Sequence, residues 1–300
     1  MPGTSLSRGA GIALMLVIAV VFGSNHIAAR FAFDHGANVT TAVAVRSAGT
    51  VLFVLVLLLA ARVPLRVERR ARGPALLAGL LLSVQSYCIY SAVARIPVAL
   101  ALLAFNTHPM ALSLLSWATG GERPAKRMLV AMPVAFAGLA LALDVAGRAG
   151  DVAGRWSEIG AGVLWATGAS LSFASAMLIT TRRLGGMDGR LRSLLTMGVV
   201  AVVVTAAGAV AGDFRWPYDA TGWTGLVLLS LFYGTAITSL FVLLPKLGAV
   251  NNMAVMNFEP IAVLGIAWLL LGQAVAPVQV LGAFIVVGAI MWMGSETKKG

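Results

Sequence analysis

Charge is scarce in this sequence. Only 11% of its 300 residues are Asp, Glu, Lys or Arg, while 59% are hydrophobic; soluble domains carry about 25% and about 45–50%. A water-soluble fold of this length has too little interior to hide so much apolar side chain. Acids are scarcer than bases, 11 against 22, which leaves a formal charge of +11. Cysteine is nearly absent: Cys88 stands alone, so no internal disulfide can form. Three histidines without a Cys pair do not make a structural zinc site. The chain lacks a Walker A pattern, a His-Glu-x-x-His and a Gly-x-Ser-x-Gly, so nothing in it calls for ATP hydrolysis, a metal or another cofactor.

What is abundant is long apolar runs, each near the roughly 20 residues that cross a bilayer. Ten can be read, at 9–33, 39–61, 74–94, 97–118, 128–146, 158–181, 191–211, 222–245, 249–271 and 275–294. The expected fold is therefore an all-α integral membrane protein with ten transmembrane helices. The first run follows Arg8 and ends in small residues near Ala28 and Ala29, as a secretory signal would. Its length and the nine runs after it favour a retained helix.

The basic residues lie in short clusters between the runs, the pattern of an oriented membrane protein rather than a nucleic-acid binder. With the N-terminus inside, the inner segments hold sixteen Lys and Arg, the largest group being Arg62, Arg66, Arg69, Arg70 and Arg72. The outer segments hold four: Arg95, Arg148, Arg155 and Arg215. This bias predicts cytoplasmic N- and C-termini. The outer tripeptide Asn38-Val39-Thr40 matches a glycosylation sequon, a pattern too short to carry weight.

The two halves resemble each other. Asn106, Pro109 and Gly121 recur 151 residues later as Asn257, Pro260 and Gly272. Five crossings leave a chain on the opposite side, so the repeats, 1–150 and 151–300, are inverted. Such 5+5 repeats are a plan of secondary transporters, with substrate near the midplane between the halves.

The segments Phe22-Gly23-Ser24-Asn25, Arg46, Asn106-Thr107-His108-Pro109, Gly121-Glu122-Arg123-Pro124, Asn257-Phe258-Glu259-Pro260 and Leu271-Gly272 carry a wider resemblance. The chain resembles the EamA-type, ten-helix branch of the drug/metabolite transporter superfamily over nearly its whole length. Within that branch it looks most like the YddG-type exporters of aromatic amino acids. The resemblance implies a basket of helices 1, 3, 4, 6, 8 and 9 around a central cavity, with helices 5 and 10 at the periphery. It also implies the inner membrane of a bacterium. Gln273 departs from the Glu that many members keep after the ninth helix.

Glu259 is the leading candidate residue, an acid near the midplane of span nine. A charge there costs roughly 2.5–3.5 kcal/mol on insertion scales and normally faces a cavity or a partner. It could carry a proton or meet a substrate ammonium; the alternative is a neutral Glu bonded to a carbonyl freed by Pro260. His108 takes the equivalent place in span four, and a His108–Glu259 pair would suit proton coupling. Pro109 and Pro260 should free the carbonyls at 105 and 256 and form matched kinks, read either as hinges or as static bends.

Further polar candidates for substrate binding are Asn25 and His26 in span one, Gln85 in span three, and Asn252, two turns before Glu259. Tyr87, Tyr90, Phe105 and Trp165 could wall an apolar pocket, though aromatics more often face lipid or the interface. Trp216 and Tyr218 fit an interfacial role. Arg46 could draw a carboxylate, but snorkelling to headgroups is the slightly preferred reading. Gly208 and Gly212 form a small-xxx-small pattern better suited to packing inside the bundle than to dimerisation.

The functional expectation is a secondary exporter of small amphipathic metabolites, with aromatic and other apolar amino acids first, working by alternating access with or without proton coupling. Broad drug or metabolite efflux is the main alternative. An intramembrane enzyme and a scaffold or receptor are the rival classes, and no motif favours either.

Overall fold

A computed structural model describes residues 8–121, 123–124, 126–144, 152–247, 258–273 and 276–294. Eleven helices are seen among the described residues: α1 (Arg8–Asp34), α2 (Val39–Ala60), α3 (Arg69–Val93), α4 (Val98–Phe105), α5 (His108–Ala118), α6 (Lys126–Ala142), α7 (Val152–Arg183), α8 (Gly189–Ala211), α9 (Ala220–Leu247), α10 (Glu259–Leu271) and α11 (Pro277–Gly294). No strand occurs among these residues. Seven stretches are long and apolar enough to cross a membrane, with α4 and α5 together forming one of them. The shorter α10 and α11 are apolar as well.

Local chemistry marks the ends. Asn38 caps α2 by accepting from the Thr41 backbone N–H at 3.0 Å, which satisfies one of the orphan donors of a first turn. Asp188 does the same for α8, accepting from the Arg190 backbone N–H at 2.8 Å. Gly212 closes α8 in the left-handed conformation, φ 62°. Its partner in the small-xxx-small pattern, Gly208, is buried against Thr40 and Phe214 of the same chain.

The packing reveals the repeat. α3 lies on α7 as α1 lies on α9, and α3 meets α8 as α2 meets α9. α5 and α4 pack on α7 as α10 packs on α1. The pairs α2 with α8, α4 with α10 and α6 with α11 match themselves. Exchanging each span with the one five positions later reproduces this map, as two inverted five-span repeats require. The contacts close a circuit, α3–α7–α4–α10–α1–α9–α2–α8–α3, and leave α6 and α11 paired at one side. There, α6 and α11 touch backbone to backbone: a Cβ on Gly282 would strike the Gly138 carbonyl and the Ala142 backbone.

Small residues fill the helix interfaces, including Ala28, Ala29 and Ala32 on α1 and Ala166 and Ala169 on α7, all buried. This suits a bilayer, where association depends on close packing rather than on the hydrophobic effect. Large apolar side chains such as Leu52, Leu164, Val202 and Leu269 are exposed instead, as a lipid-facing perimeter demands.

Candidate transport site

Span four is not a kinked continuous helix. It stops at Phe105, passes through Asn106 and Thr107, and restarts at His108 with Pro109 in the first turn of α5. Proline suits that place, where no backbone donor is needed. The Phe105 carbonyl, freed as expected, accepts from His108 Nδ1 at 3.2 Å. Asn106 bonds back to the Leu102 carbonyl and Thr107 to that of Ala104, both at 2.8 Å. Thr107 also meets Ser170 of α7 at 3.0 Å. Pro260 likewise sits in the first turn of α10, after Phe258. The carbonyl at 256 and Asn252 lie outside the described residues.

Glu259 opens α10, a helix roughly 18 Å long at 1.5 Å per residue. The expected pairing with His108 is not made. Glu259 Oε1 instead lies 3.9 Å from His26 Nε2 on α1, and both side chains are largely shielded. At that separation the two share no hydrogen bond. The physical reason is the repeat: spans four and nine each pack on a different first span, α5 on α7 and α10 on α1. His108 accordingly rests in an aromatic box, with ring centroids 5.0 Å from Phe105 and 4.8 Å from Phe173. Glu259 reaches α1 because Gly23 faces it; a Cβ there would strike Val263 and come within 3.3 Å of Glu259 Cγ.

Around His26 a polar group is buried between the halves. Asn25 is fully buried, its amide nitrogen bonded to the Phe22 carbonyl and its oxygen accepting from the Tyr90 hydroxyl at 2.6 Å. The Tyr90 and His26 rings lie 5.4 Å apart. Among the described residues His26 Nδ1 is buried without a partner. Such orphaned groups are rare in packed interiors and call for an explanation.

Arg46 corrects the snorkelling expectation. It is 3% exposed. Its Nη2 donates to Ser86 Oγ at 2.9 Å, and its Cζ lies 4.1 Å from the Tyr233 ring centre and 5.3 Å from that of Tyr90. Tyr233 and Ser86 escaped the sequence reading. A signal existed, since Ser83, Ser86 and Tyr90 follow helical spacing on α3 and are all buried. Gln85 is half-buried beside them and accepts from Ser86 Oγ at 3.4 Å.

Tyr87 and Trp165 do come together, edge to face at 6.1 Å, with Arg95 stacked 5.6 Å from the indole. They line a cleft of about 390 Å³ with Cys88, Val204 and Gly208. This cleft lies between α3, α7 and α8, apart from the residues gathered around Glu259. Among the described residues no cluster of His, Cys, Asp and Glu could hold a metal. At one end of the bundle, residues 34–40 are clasped to 213–219. Asn38 Nδ2 donates to Asp213 Oδ1 at 2.9 Å, which occupies the sequon amide, and His35 Nδ1 meets Asp219 Oδ2 at 2.6 Å. Trp216 and Tyr218 lie exposed in this connection.

Comparison with known proteins agrees with this architecture. A solved crystal structure 18% identical shares the fold at a TM-score of 0.63, over 96% of this chain and 98% of that one. The threonine/homoserine exporter RhtA of Salmonella typhimurium (strain SL1344) is 25% identical over 228 residues, 76% of this chain and 72% of its own. The same exporter of Escherichia coli (strain K12) is 23% identical over the same shares. The model of the EamA-like transporter family matches twice, at residues 9–143 and 160–295. With both repeats matched, the chain belongs to the EamA-like transporter family and is a transporter rather than an enzyme.

Proposed function

We propose that this protein is a secondary exporter of neutral amino acids, operating by alternating access around the group formed by Asn25, His26, Tyr90 and Glu259. The observation that carries the proposal is the shielded His26–Glu259 pair at 3.9 Å, which joins the first half to the second. An intramembrane acid beside an imidazole is a candidate proton site and a candidate contact for a substrate ammonium. The halves, 1–150 and 151–300, would rock about this group, with Pro109 and Pro260 as hinges. The Lys and Arg distribution supports cytoplasmic termini, and the relatives support a bacterial inner membrane.

Small hydroxylated amino acids come first, because the relatives export threonine and homoserine and because the Tyr90 hydroxyl, bonded to Asn25, lies beside the His26 ring that faces Glu259. Aromatic amino acids are the second reading, favoured by the Tyr87–Trp165 pair in its 390 Å³ cleft. Broad metabolite efflux would show neither preference. The test is counterflow of labelled threonine, homoserine and phenylalanine in proteoliposomes. Saturable exchange is expected, with threonine and homoserine ahead of phenylalanine; no exchange above empty liposomes with folded protein contradicts the reading.

A further inference from the structure

The guanidinium of Arg46 is buried. Among the described residues no carboxylate pairs with it; its contacts are the Ser86 hydroxyl, the Tyr90 ring and the Tyr233 side chain, which both stacks on it and hydrogen-bonds it. Among the same residues its buried Nε has no hydrogen-bond partner. A cation so placed inside a membrane protein is expensive unless something compensates it. The aromatic faces and the Tyr233 hydrogen bond return part of that cost, but neither neutral tyrosine supplies a formal negative charge.

The open part of the side chain has a definite chemistry. Nε and Nη2 lie along one edge of the guanidinium fork, the edge that accepts a carboxylate through two parallel hydrogen bonds. Nη2 is at present satisfied by Ser86 Oγ at 2.9 Å. A hydroxyl both donates and accepts, so Ser86 can turn from accepting the arginine proton to donating to an arriving oxygen. The cage is also joined to the rest of the site. Tyr90, against Arg46, donates to Asn25, and the next residue, His26, faces Glu259.

We infer that Arg46 is the carboxylate-binding residue of the transport site, so that an amino acid is held with its carboxylate on the Nε–Nη2 edge and its ammonium toward Glu259. This rests on the amino-acid reading above and narrows it: the substrate must be a zwitterion with a free α-carboxylate. Because Arg46 and Tyr90 belong to the first half and Tyr233 to the second, seating the carboxylate also bears on how the halves meet.

The test compares threonine with threoninamide, which keeps the ammonium and side chain but lacks the carboxylate. In proteoliposomes the wild type should exchange threonine with a kcat/KM at least about tenfold above that of the amide, the scale of one charge-assisted hydrogen bond. In Arg46→Gln threonine should fall to the level of the amide, while the amide changes little. Arg46→Lys, which keeps the charge but loses the fork, should recover part of the preference. Heat protection of the unaltered protein by threonine, and not by threoninamide, reads the same preference without a substitution. A threonine-to-amide ratio unchanged in Arg46→Gln, or equal heat protection by both compounds, overturns the assignment of Arg46 and leaves the exporter reading standing. Absence of amino-acid exchange by the wild type overturns both.

Discussion

His108 and Glu259 occupy matching places in the two repeats and show how little of a site is set by its backbone. Each sits at the start of a helix whose next residue is proline. Each packs on the first span of the opposite repeat. There the likeness ends. His108 bonds the carbonyl that the helix break frees and lies among Phe105 and Phe173. Glu259 faces an imidazole it does not hydrogen-bond, beside a buried nitrogen with no partner among the described residues. Duplication supplied two equivalent frames; substitution made one a satisfied structural joint and left the other chemically unfinished. In a low-dielectric interior a satisfied group is rigid, whereas an unsatisfied one responds to a proton or a ligand.

The comparison can be broken by exchanging the chemistry at either place. Glu259→Gln, which keeps shape and removes charge, should lower threonine flux by at least about tenfold while the protein still inserts and folds; loss of a charged contact is worth roughly 1.5–3 kcal/mol. His108→Gln should change flux by less than about fivefold, because a neutral hydrogen bond carries only about 1 kcal/mol. Equal losses in the two variants, measured by counterflow on protein of matched thermal stability, would make the two frames functionally alike.

A change outside both frames sets the lower end of the scale. At the clasp between residues 34–40 and 213–219, Asp219 accepts from the Gly222 backbone N–H at 2.9 Å and meets His35 at 2.6 Å. These contacts hold its carboxyl below the usual carboxylate range, the backbone bond contributing most. A depressed native pKa adds stability above the unfolded value and loses it as pH falls through the native one. Asp219→Asn should therefore melt slightly earlier than the wild type at neutral pH, and the gap should close on acidification. A gap that widens toward low pH would contradict the assignment. The effect should be small because the pair is partly open to solvent.

The spans were legible because bilayer thickness imposes a long apolar run, whatever the partner helices are. Their ends were less so. α3 starts at Arg69, five residues before the apolar run, since a helix can continue into the aqueous boundary on charged residues that hydropathy counts against it. The interruption of the fourth span was visible in Pro109, and it takes the form of a two-residue turn at Asn106 and Thr107 with near-helical backbone angles. The site was half legible. Asn25, His26 and Glu259 stood out as polar groups in apolar runs, yet their pairing depended on which spans the two-fold brings together. Equal depth suggested His108 for Glu259, and helix packing chose His26. Arg46 was read outward because long cations usually snorkel. Only the positions of Tyr90 and Tyr233 reveal that it is enclosed.

The central claim is that Glu259, opposite His26, is the responsive group of the transport cycle. The most direct measurement is threonine flux into proteoliposomes under an imposed pH gradient, for the wild type, Glu259→Gln and His108→Gln. The account predicts that the gradient drives flux in the wild type and in His108→Gln and has no effect in Glu259→Gln. A gradient response that survives in Glu259→Gln, or is lost in His108→Gln, would contradict it.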